Sequence, residues 1–247
     1  MSAKPFLQVI ASEALSELDE KYKKWCEEVY IPSLFENPNL LIASHYEIVS
    51  GISAPHPGYV EPEAGYAKYL TIYEFGSEEG FKAFGQEMER TLSNATKTWE
   101  SGEVTIEFQA QYKLRNTWEG KRKAKVGLVH TTGVVLPPEA ENAFYQYYCE
   151  KVIPTVLANP KLLSADSYEL ADSYELVEGL TCKNLPFTYP KYYNIYKFES
   201  PEAFRSFDHS EEMLTNNKSY TKFLESWLPK AIKGVIRAQY LPLKTWA

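Results

Sequence analysis

The chain has few of the residues that build metal sites and disulfides. Its 247 residues include three cysteines and four histidines, and none fall at the HxH, HExxH or paired-cysteine spacings that hold zinc. Cys26, Cys149 and Cys182 form an odd set without paired spacing, which indicates reduced thiols in a cytoplasmic protein. We therefore expect no metal centre, and cytoplasmic localisation.

Several other signals are also missing. The sequence has no glycine-rich phosphate loop, no GxGxxG and no GxSxG, so neither a nucleotide cofactor nor serine hydrolase chemistry is expected. No apolar run is long enough to span a membrane, and the N-terminal stretch lacks the pattern of a signal peptide. A net charge of −7 disfavours a nucleic-acid partner, since phosphate binding needs a basic face. We therefore expect no cofactor.

What the sequence does have is an internal duplication. Residues 25–47 match residues 148–169, and residues 66–84 match residues 189–207. Both halves close alike, with Thr-Trp at 117–118 and again at 245–246. Solenoid repeats are much shorter than this, so the pattern indicates a duplicated domain.

Each half predicts the element order β-α-β-β-α-β, the ferredoxin-like arrangement. The predicted strands are Phe6–Ala11, Leu40–Val49, Lys68–Phe75, Val104–Tyr112, Val126–Thr132, Leu162–Leu170, Lys191–Phe198 and Ile232–Tyr240. Such a sheet carries helices on one face only, so its other face needs a cover. We therefore predict an α+β fold in which the antiparallel sheets of two tandem units, 1–120 and 121–247, pack into one pseudo-two-fold α/β barrel.

Two irregular features lie at or near the connection between the second and third strands: a long connection in both units, and a short duplication in the second unit. Residues 51–65 and 177–188 form long connections, which we expect to flank a mouth of the barrel. The hexapeptide ADSYEL occurs twice in succession over residues 165–176. Both copies align equally well with the first half, and an even insertion keeps the facing of an extended strand.

The stretch YYNIYKFESPEAFRSF at residues 192–207, with its partner in the first half, is a strand followed by a serine-capped helix. It resembles the EthD-like members of the dimeric α/β-barrel superfamily, here in a fused tandem form. The resemblance implies a small-molecule site. The superfamily includes cofactor-free monooxygenases, isomerases, cyclases, dehydratases and haem enzymes, so fold alone does not choose among them.

Strand alternation predicts which side chains line the barrel interior. The more polar face of each third and fourth strand is assigned to the lumen, where a cation and a carboxylate could hold an anionic substrate. The predicted substrate-binding set is Tyr69, Tyr73, Glu107, Tyr192, Asn194, Tyr196 and Arg237. The alternatives are a solvated barrel rim for the charged positions and core tyrosines bonded to nearby backbone.

Two histidines break the repeat and are therefore the predicted catalytic residues. His45 lies in the second strand, where the other half has serine, and His130 lies in the first strand of the second unit. Imidazole suits proton transfer near neutral pH. The alternative is that each is a satisfied core residue.

These features lead to one main functional hypothesis and two alternatives. The main one is a cofactor-free enzyme of isomerase, cyclase, lyase or monooxygenase type, acting on a small apolar, aromatic or polyketide-like compound by general acid–base chemistry. The first alternative is a haem enzyme with His209 as axial ligand. The second is a non-catalytic binding or assembly protein. Whether the chain also forms a homodimer is left open.

Overall fold

The computed structural model describes residues 4–49, 66–84, 98–100, 102–134, 138–172, 190–225 and 235–247. Its strands form one closed antiparallel barrel. They are β1 (Phe6–Ala14), β2 (Leu40–Ile48), β3 (Tyr69–Phe75), β4 (Val104–Glu119), β5 (Leu128–Val134), β6 (Leu162–Asp172), β7 (Tyr192–Phe198) and β8 (Val235–Trp246). β4 and β8 extend past their predicted ends, because each continues to pair with the other half.

Strand order confirms the predicted fold. Around the barrel the order is β1-β3-β2-β8-β5-β7-β6-β4, so each half contributes a sheet in the ferredoxin-like sequence of fourth, first, third and second strand. The halves join through two antiparallel edge pairs, β2 with β8 and β4 with β6. β4 ends at Glu119 and β5 begins at Leu128. The division of the chain into domains at residue 120 remains a prediction.

The helices cover the outside of this barrel. Helix α1 comprises Asp19–Trp25, a π-helical turn at Cys26–Tyr30, and Ile31–Leu34. Residues 78–84 are helical and are called α2. Helix α3 repeats the pattern of α1 with Pro138–Tyr147, a π-helical turn at Tyr148–Val152, and Ile153–Ala158. Helices α4 and α5 are Pro201–Asp208 and Glu211–Glu225.

Serine caps begin the second helix of each unit, as the sequence predicts. The Ser200 hydroxyl accepts a hydrogen bond from the Ala203 N–H at 3.2 Å, with Pro201 in the first turn. In the first half, the Ser77 hydroxyl accepts from the Gly80 N–H at 3.1 Å. Each cap satisfies a backbone donor that the first turn leaves without a helical partner.

Three apolar clusters make up the core. One cluster lies between the sheet of the first unit and its helices, and a second lies between the other sheet and its helices. The third fills the barrel lumen. Its buried members are Leu7, Val9, Ala11, Tyr46, Ala67, Leu70, Ile72, Phe108, Ala110, Tyr112, Val129, Tyr168, Tyr193, Ile195, Ala238 and Tyr240. The described part of the lumen is therefore mainly apolar and tyrosine-lined.

The predicted facing of the third and fourth strands is wrong. Leu70 and Ile72 of β3 point into the lumen, while Tyr69 and Tyr73 pack under the helices. A sheet buried on both faces shows no clear alternation of polar and apolar residues, so the sequence pattern carried no reliable facing signal.

A β-bulge in β4 adds to this error. Ala11 pairs with Phe108 but Ser12 pairs with Ile106, so Glu107 is the extra residue. A bulge of this kind changes the direction in which the following side chains point. Ile106 therefore packs under the helices, whereas Phe108 lies in the lumen.

Some predicted features fall outside the described residues. These are the connection 51–65, the connection 177–188 and the second ADSYEL copy at 171–176, of which only the first two residues belong to β6. The first copy forms the strand partner of β7, with Ser167 opposite Asn194. The role of the long connections at a barrel mouth remains a prediction.

Two glycines at the joint between the halves allow a close backbone approach. A Cβ atom on Gly120 would lie 2.1 Å from the Leu162 carbonyl oxygen, and one on Gly127 would lie 2.1 Å from the Glu199 carbonyl oxygen. We expect G120A and G127A each to lower the free energy of unfolding by roughly 1–3 kcal/mol, because backbone must shift to admit the methyl group. Urea denaturation measures this.

G76A is the matched control. A Cβ there would meet the flexible Cδ1 of Leu41 at 2.9 Å, and a side-chain end can move away. We expect its cost to stay below about 1 kcal/mol, since most substitutions without backbone conflict are mild. Equal losses in all three variants would contradict the close-approach explanation.

Candidate functional site

Polar side chains form two adjacent rows on the outer face of the second sheet, beneath α3 and α4. Strand register places the first row across β8, β5, β7 and β6 as Arg237, Thr132, Asn194 and Ser167. The second row is Gln239, His130, Tyr196 and Ala165. We call these rows, with Asp208 and Tyr148 from the covering helices, the second-unit site.

His130 is the central titratable group of this site. Its ring lies between Tyr196, at a centroid distance of 5.6 Å, and Phe204, at 4.9 Å. Burial, and then the charge of Arg237, hold the pKa of His130 well below its usual value. The imidazole is therefore neutral near pH 7.

The other contacts of His130 involve its Nδ1 atom. Nδ1 lies 3.2 Å from the Ala238 carbonyl oxygen and 3.0 Å from the side-chain nitrogen of Gln239. The carbonyl accepts from a protonated Nδ1, whereas an amide nitrogen donates to an unprotonated one, so the two contacts favour different tautomers of the ring.

Arg237 brings a positive charge to the same face. Its Nη2 donates to both carboxylate oxygens of Asp208, at 2.6 and 2.8 Å. The side chains are 8% and 3% exposed, so the pair is buried. A buried charge needs such a partner, and Asp208 at the end of α4 fixes the guanidinium under the helical layer.

Two polar atoms in the same row as Arg237 have no protein partner among the described residues. Asn194 donates through Nδ2 to the Thr132 hydroxyl at 3.2 Å, which leaves its Oδ1 unbonded. The hydroxyl of Ser167, the register partner of Asn194, is also unbonded. An unsatisfied buried polar group costs about 1–3 kcal/mol, so these atoms are suited to a bound water or ligand.

The π-helical turn of α3 supplies the upper wall. Tyr148 begins this turn, and its hydroxyl lies 2.7 Å from that of Tyr196. Phe144 stacks on Tyr148 at 6.1 Å. π-helical turns occur often at functional sites, and α1 carries one at the equivalent place in the first half. The wall is therefore aromatic with a polar hydroxyl pair.

The predicted site residues of the first unit lie on the other outer face of the barrel. His45 stacks on Tyr69 at 5.3 Å, and its Nδ1 is 3.0 Å from the Thr71 hydroxyl. The Tyr69 hydroxyl donates to Asp19 at 2.9 Å, and Tyr73 packs on Phe84. The prediction that these groups line the lumen is wrong, because helices cover them.

The structure therefore divides the predicted set. His130, Asn194, Tyr196 and Arg237 come together in the second-unit site, but under the helices and not in the lumen, so the prediction that they line the lumen is wrong. His45, Tyr69 and Tyr73 belong to the first unit, and Glu107 is the bulge residue of β4. Tyr192 lies beside the site, where its hydroxyl accepts from Arg115 Nη1 at 3.0 Å. The catalytic and binding roles assigned to all nine residues remain predictions.

Several groups were not predicted from the sequence. Asp208, Ser167, Gln239 and Tyr148 belong to the second-unit site but come from separate elements, and strand register together with helix packing brings them together. Glu74, Asp166 and Lys197, which lie in the lumen, were also not predicted. Opposite charges at repeat-equivalent positions 74 and 197 were the available signal.

His209 does not fit the role of a haem axial ligand. It is exposed at the C-terminal end of α4, and its N–H caps that helix on the Arg205 carbonyl at 3.0 Å. An axial ligand would have to point into a covered pocket. Over the described ranges no group of three or more His, Cys, Asp or Glu residues is arranged to hold a metal ion. Within the same ranges no helix has the length and apolar character to cross a membrane.

Comparison with known proteins supports the fold. No family model and no curated protein matches the sequence. An anthrone oxidase-like protein is similar in structure, with a TM-score of 0.64, 11% identity, and coverage of 99% of this chain and 93% of that one. A Fusobacterium nucleatum structure named "Putative monooxygenase" has a TM-score of 0.61, 12% identity, and coverage of 99% and 95%.

A haem protein is also similar. A DypB variant from Rhodococcus jostii RHA1, in complex with heme, has a TM-score of 0.58, 9% identity, and coverage of 98% and 94%. At these identities the likeness establishes the barrel fold and leaves the reaction open. Membership of the dimeric α/β-barrel superfamily and of its EthD-like group remains a prediction.

The two buried histidines make stability depend on pH. Burial, and then Lys23, lower the pKa of His45 to about 4, and that of His130 is lowered as well. Below pH ~6.5 the unfolded chain binds more protons than the folded one, so stability is full above that pH and falls as pH drops. We expect His45 to account for about 2 kcal/mol of the loss between pH 7 and 5.

Urea denaturation of the wild type and H45Q at both pH values measures this contribution. H45Q should lose about 2 kcal/mol less than the wild type on acidification, and H130Q should also lose less than the wild type. Parallel losses in all three proteins would show that neither imidazole is kept neutral by the fold.

Proposed function

We propose that the protein is a cofactor-free acid–base enzyme whose site is the second-unit site, and that it acts on a small aromatic or polyketide-like compound. The proposal rests on one juxtaposition, in which the neutral imidazole of His130 lies one register row from the buried guanidinium of Arg237. A base and a fixed cation on one face suit removal of a proton with stabilisation of the anion that forms.

The base in this mechanism is Nε2 of His130. In this tautomer Nδ1 carries the ring proton and donates to the Ala238 carbonyl, and that contact holds the ring orientation while Nε2 takes a proton from carbon or oxygen of the substrate. Stacking on Tyr196 and Phe204 keeps the imidazole out of water. Loss of hydration favours the neutral base before the reaction.

Negative charge that develops on the substrate oxygen is stabilised by Arg237. Its guanidinium is held in place by Asp208 before the substrate arrives, so little reorganisation is needed. The Oδ1 of Asn194 and the hydroxyl of Ser167 then bind a donor group elsewhere on the substrate. A hydroxylated aromatic ketone has such a donor as well as an oxygen that can become an anion.

The substrate enters through the helical layer. A groove of about 760 Å³ lies between α3 and α5, lined by residues that include Tyr147, Thr215 and Ser219. Tyr147 stacks on Phe223 of α5 at 4.3 Å, and the next residue, Tyr148, reaches Tyr196 in the site. Parting of this stack would connect the groove with His130.

Anthrone tests the proposal, because one structural neighbour is anthrone oxidase-like and because its ring CH₂ loses a proton to give an oxygen anion. Exchange of that proton for deuterium, followed by mass spectrometry, detects proton abstraction whatever reaction follows. We expect the wild type to accelerate the exchange. H130Q should reduce the enzymatic rate by about 100-fold or more, the usual range for a general base.

R237Q should reduce the rate by a similar factor, roughly 100-fold, through loss of anion stabilisation. H45Q is the matched control, since it removes a buried strand imidazole from the other unit and should leave the rate within about twofold. Glutamine is a suitable replacement because Gln8 occupies the position equivalent to His130 in the first half. Anthrone binding without accelerated exchange would favour a non-catalytic binding protein.

A further inference from the structure

One end of the barrel lumen holds three charged side chains from both halves of the chain. Glu74 follows Leu70 and Ile72 on the lumen face of β3, and Lys197 follows Tyr193 and Ile195 on the lumen face of β7. Glu74 and Lys197 are equivalent in the repeat, 123 residues apart. The duplication therefore placed opposite charges at one position of the two units.

The neighbouring strands repeat this asymmetry. In the second unit Asp166 accepts from the Thr117 hydroxyl at 2.5 Å, and its Oδ2 lies 3.1 Å from Lys197 Nζ. At the equivalent place in the first unit the Ser44 hydroxyl lies 3.2 Å from that of Thr245. Thr117 and Thr245 correspond to each other in the repeat. The two units therefore share the same strand arrangement here and differ only in the charged groups.

The pseudo-two-fold axis brings these positions to one level of the lumen. β3 and β7 run in the same direction in the closed barrel, since each is antiparallel to its neighbours. Glu74 and Lys197 therefore face each other across the axis. Burial raises the pKa of Glu74, and the charge of Lys197 offsets part of that rise. Burial acts to lower the pKa of Lys197, but the charges of Asp166 and Glu74 act the other way, and the net result is a raised pKa.

We infer that Glu74, Lys197 and Asp166 form a charge-complementary contact through which each half of the chain recognises the other half as its partner in the barrel. Two copies of the first unit would bring two half-buried Glu74 carboxylates to the axis with only Lys4 as a nearby side-chain cation among the described residues of each copy, and like charges held close together repel. In the observed pairing, Lys197 forms an ion pair with Asp166 at 3.1 Å, and its charge also acts on Glu74. The partner that fits the lumen face of the first unit is the second unit.

A cycle of charge transpositions in the full chain tests this inference. S44D/E74K gives the first unit the charges of the second, D166S/K197E does the reverse, and the fourfold variant exchanges the two sets. Thermal unfolding is followed by circular dichroism. Since distant independent changes add, any departure from additivity measures interaction across the lumen.

We expect D166S/K197E, which leaves two facing glutamates and removes Lys197, to lower the unfolding midpoint by about 6 °C or more. The fourfold variant should recover to within about 3 °C of the wild type, because a cation again faces a carboxylate. If D166S/K197E does not fold, recovery of a folded fourfold variant gives the same support.

A fourfold variant whose midpoint shift equals the sum of the two double variants would overturn the inference. So would failure of both D166S/K197E and the fourfold variant to fold while S44D/E74K stays stable, because local pairing of Lys197 with Asp166 would then explain the cluster. Neither result depends on the proposed enzymatic function.

Discussion

Closure of the barrel through β2–β8 and β4–β6 is the constraint on which the rest of the structure depends. A single ferredoxin-like sheet of this chain would leave two strand edges and one whole face uncovered. Pairing of the two halves satisfies the edge hydrogen bonds and buries both inner faces together. The long strands β4 and β8, which pair with their own half and with the other, supply this closure.

Closure buries most of each strand on both faces, and this determines where reactive groups can lie. The lumen is packed with aliphatic side chains and tyrosines, so its described part offers charged groups mainly at the end that holds Glu74, Asp166 and Lys197. The polar rows under the helices are the larger set of reactive groups. The helical layer separates them from solvent, and the groove between α3 and α5 lies in that layer.

The duplication also explains why one half is favoured as the reactive one. Row for row, Arg237 and His130 of the second unit correspond to Gln109 and Gln8 of the first. The first unit therefore lacks both the buried cation and the base at that position. Its own histidine, His45, stands where the second unit has Ser167 and bonds to Thr71. The two outer faces therefore share the same strand arrangement but carry different functional side chains.

The sequence by itself determined the two-unit architecture. The matching segments, the serine caps at Ser77 and Ser200 and the order of apolar runs are local features, and local features are visible in one dimension. The sequence also singled out His130 and Arg237. Tertiary structure alone decided which way their side chains point, because a strand with two buried faces has no polar–apolar alternation and the bulge at Glu107 reverses the facing within β4. It also decided that Asp208 meets Arg237 and that Glu74 faces Lys197, since these groups are far apart in the chain and only the closed barrel with its helical cover brings them together.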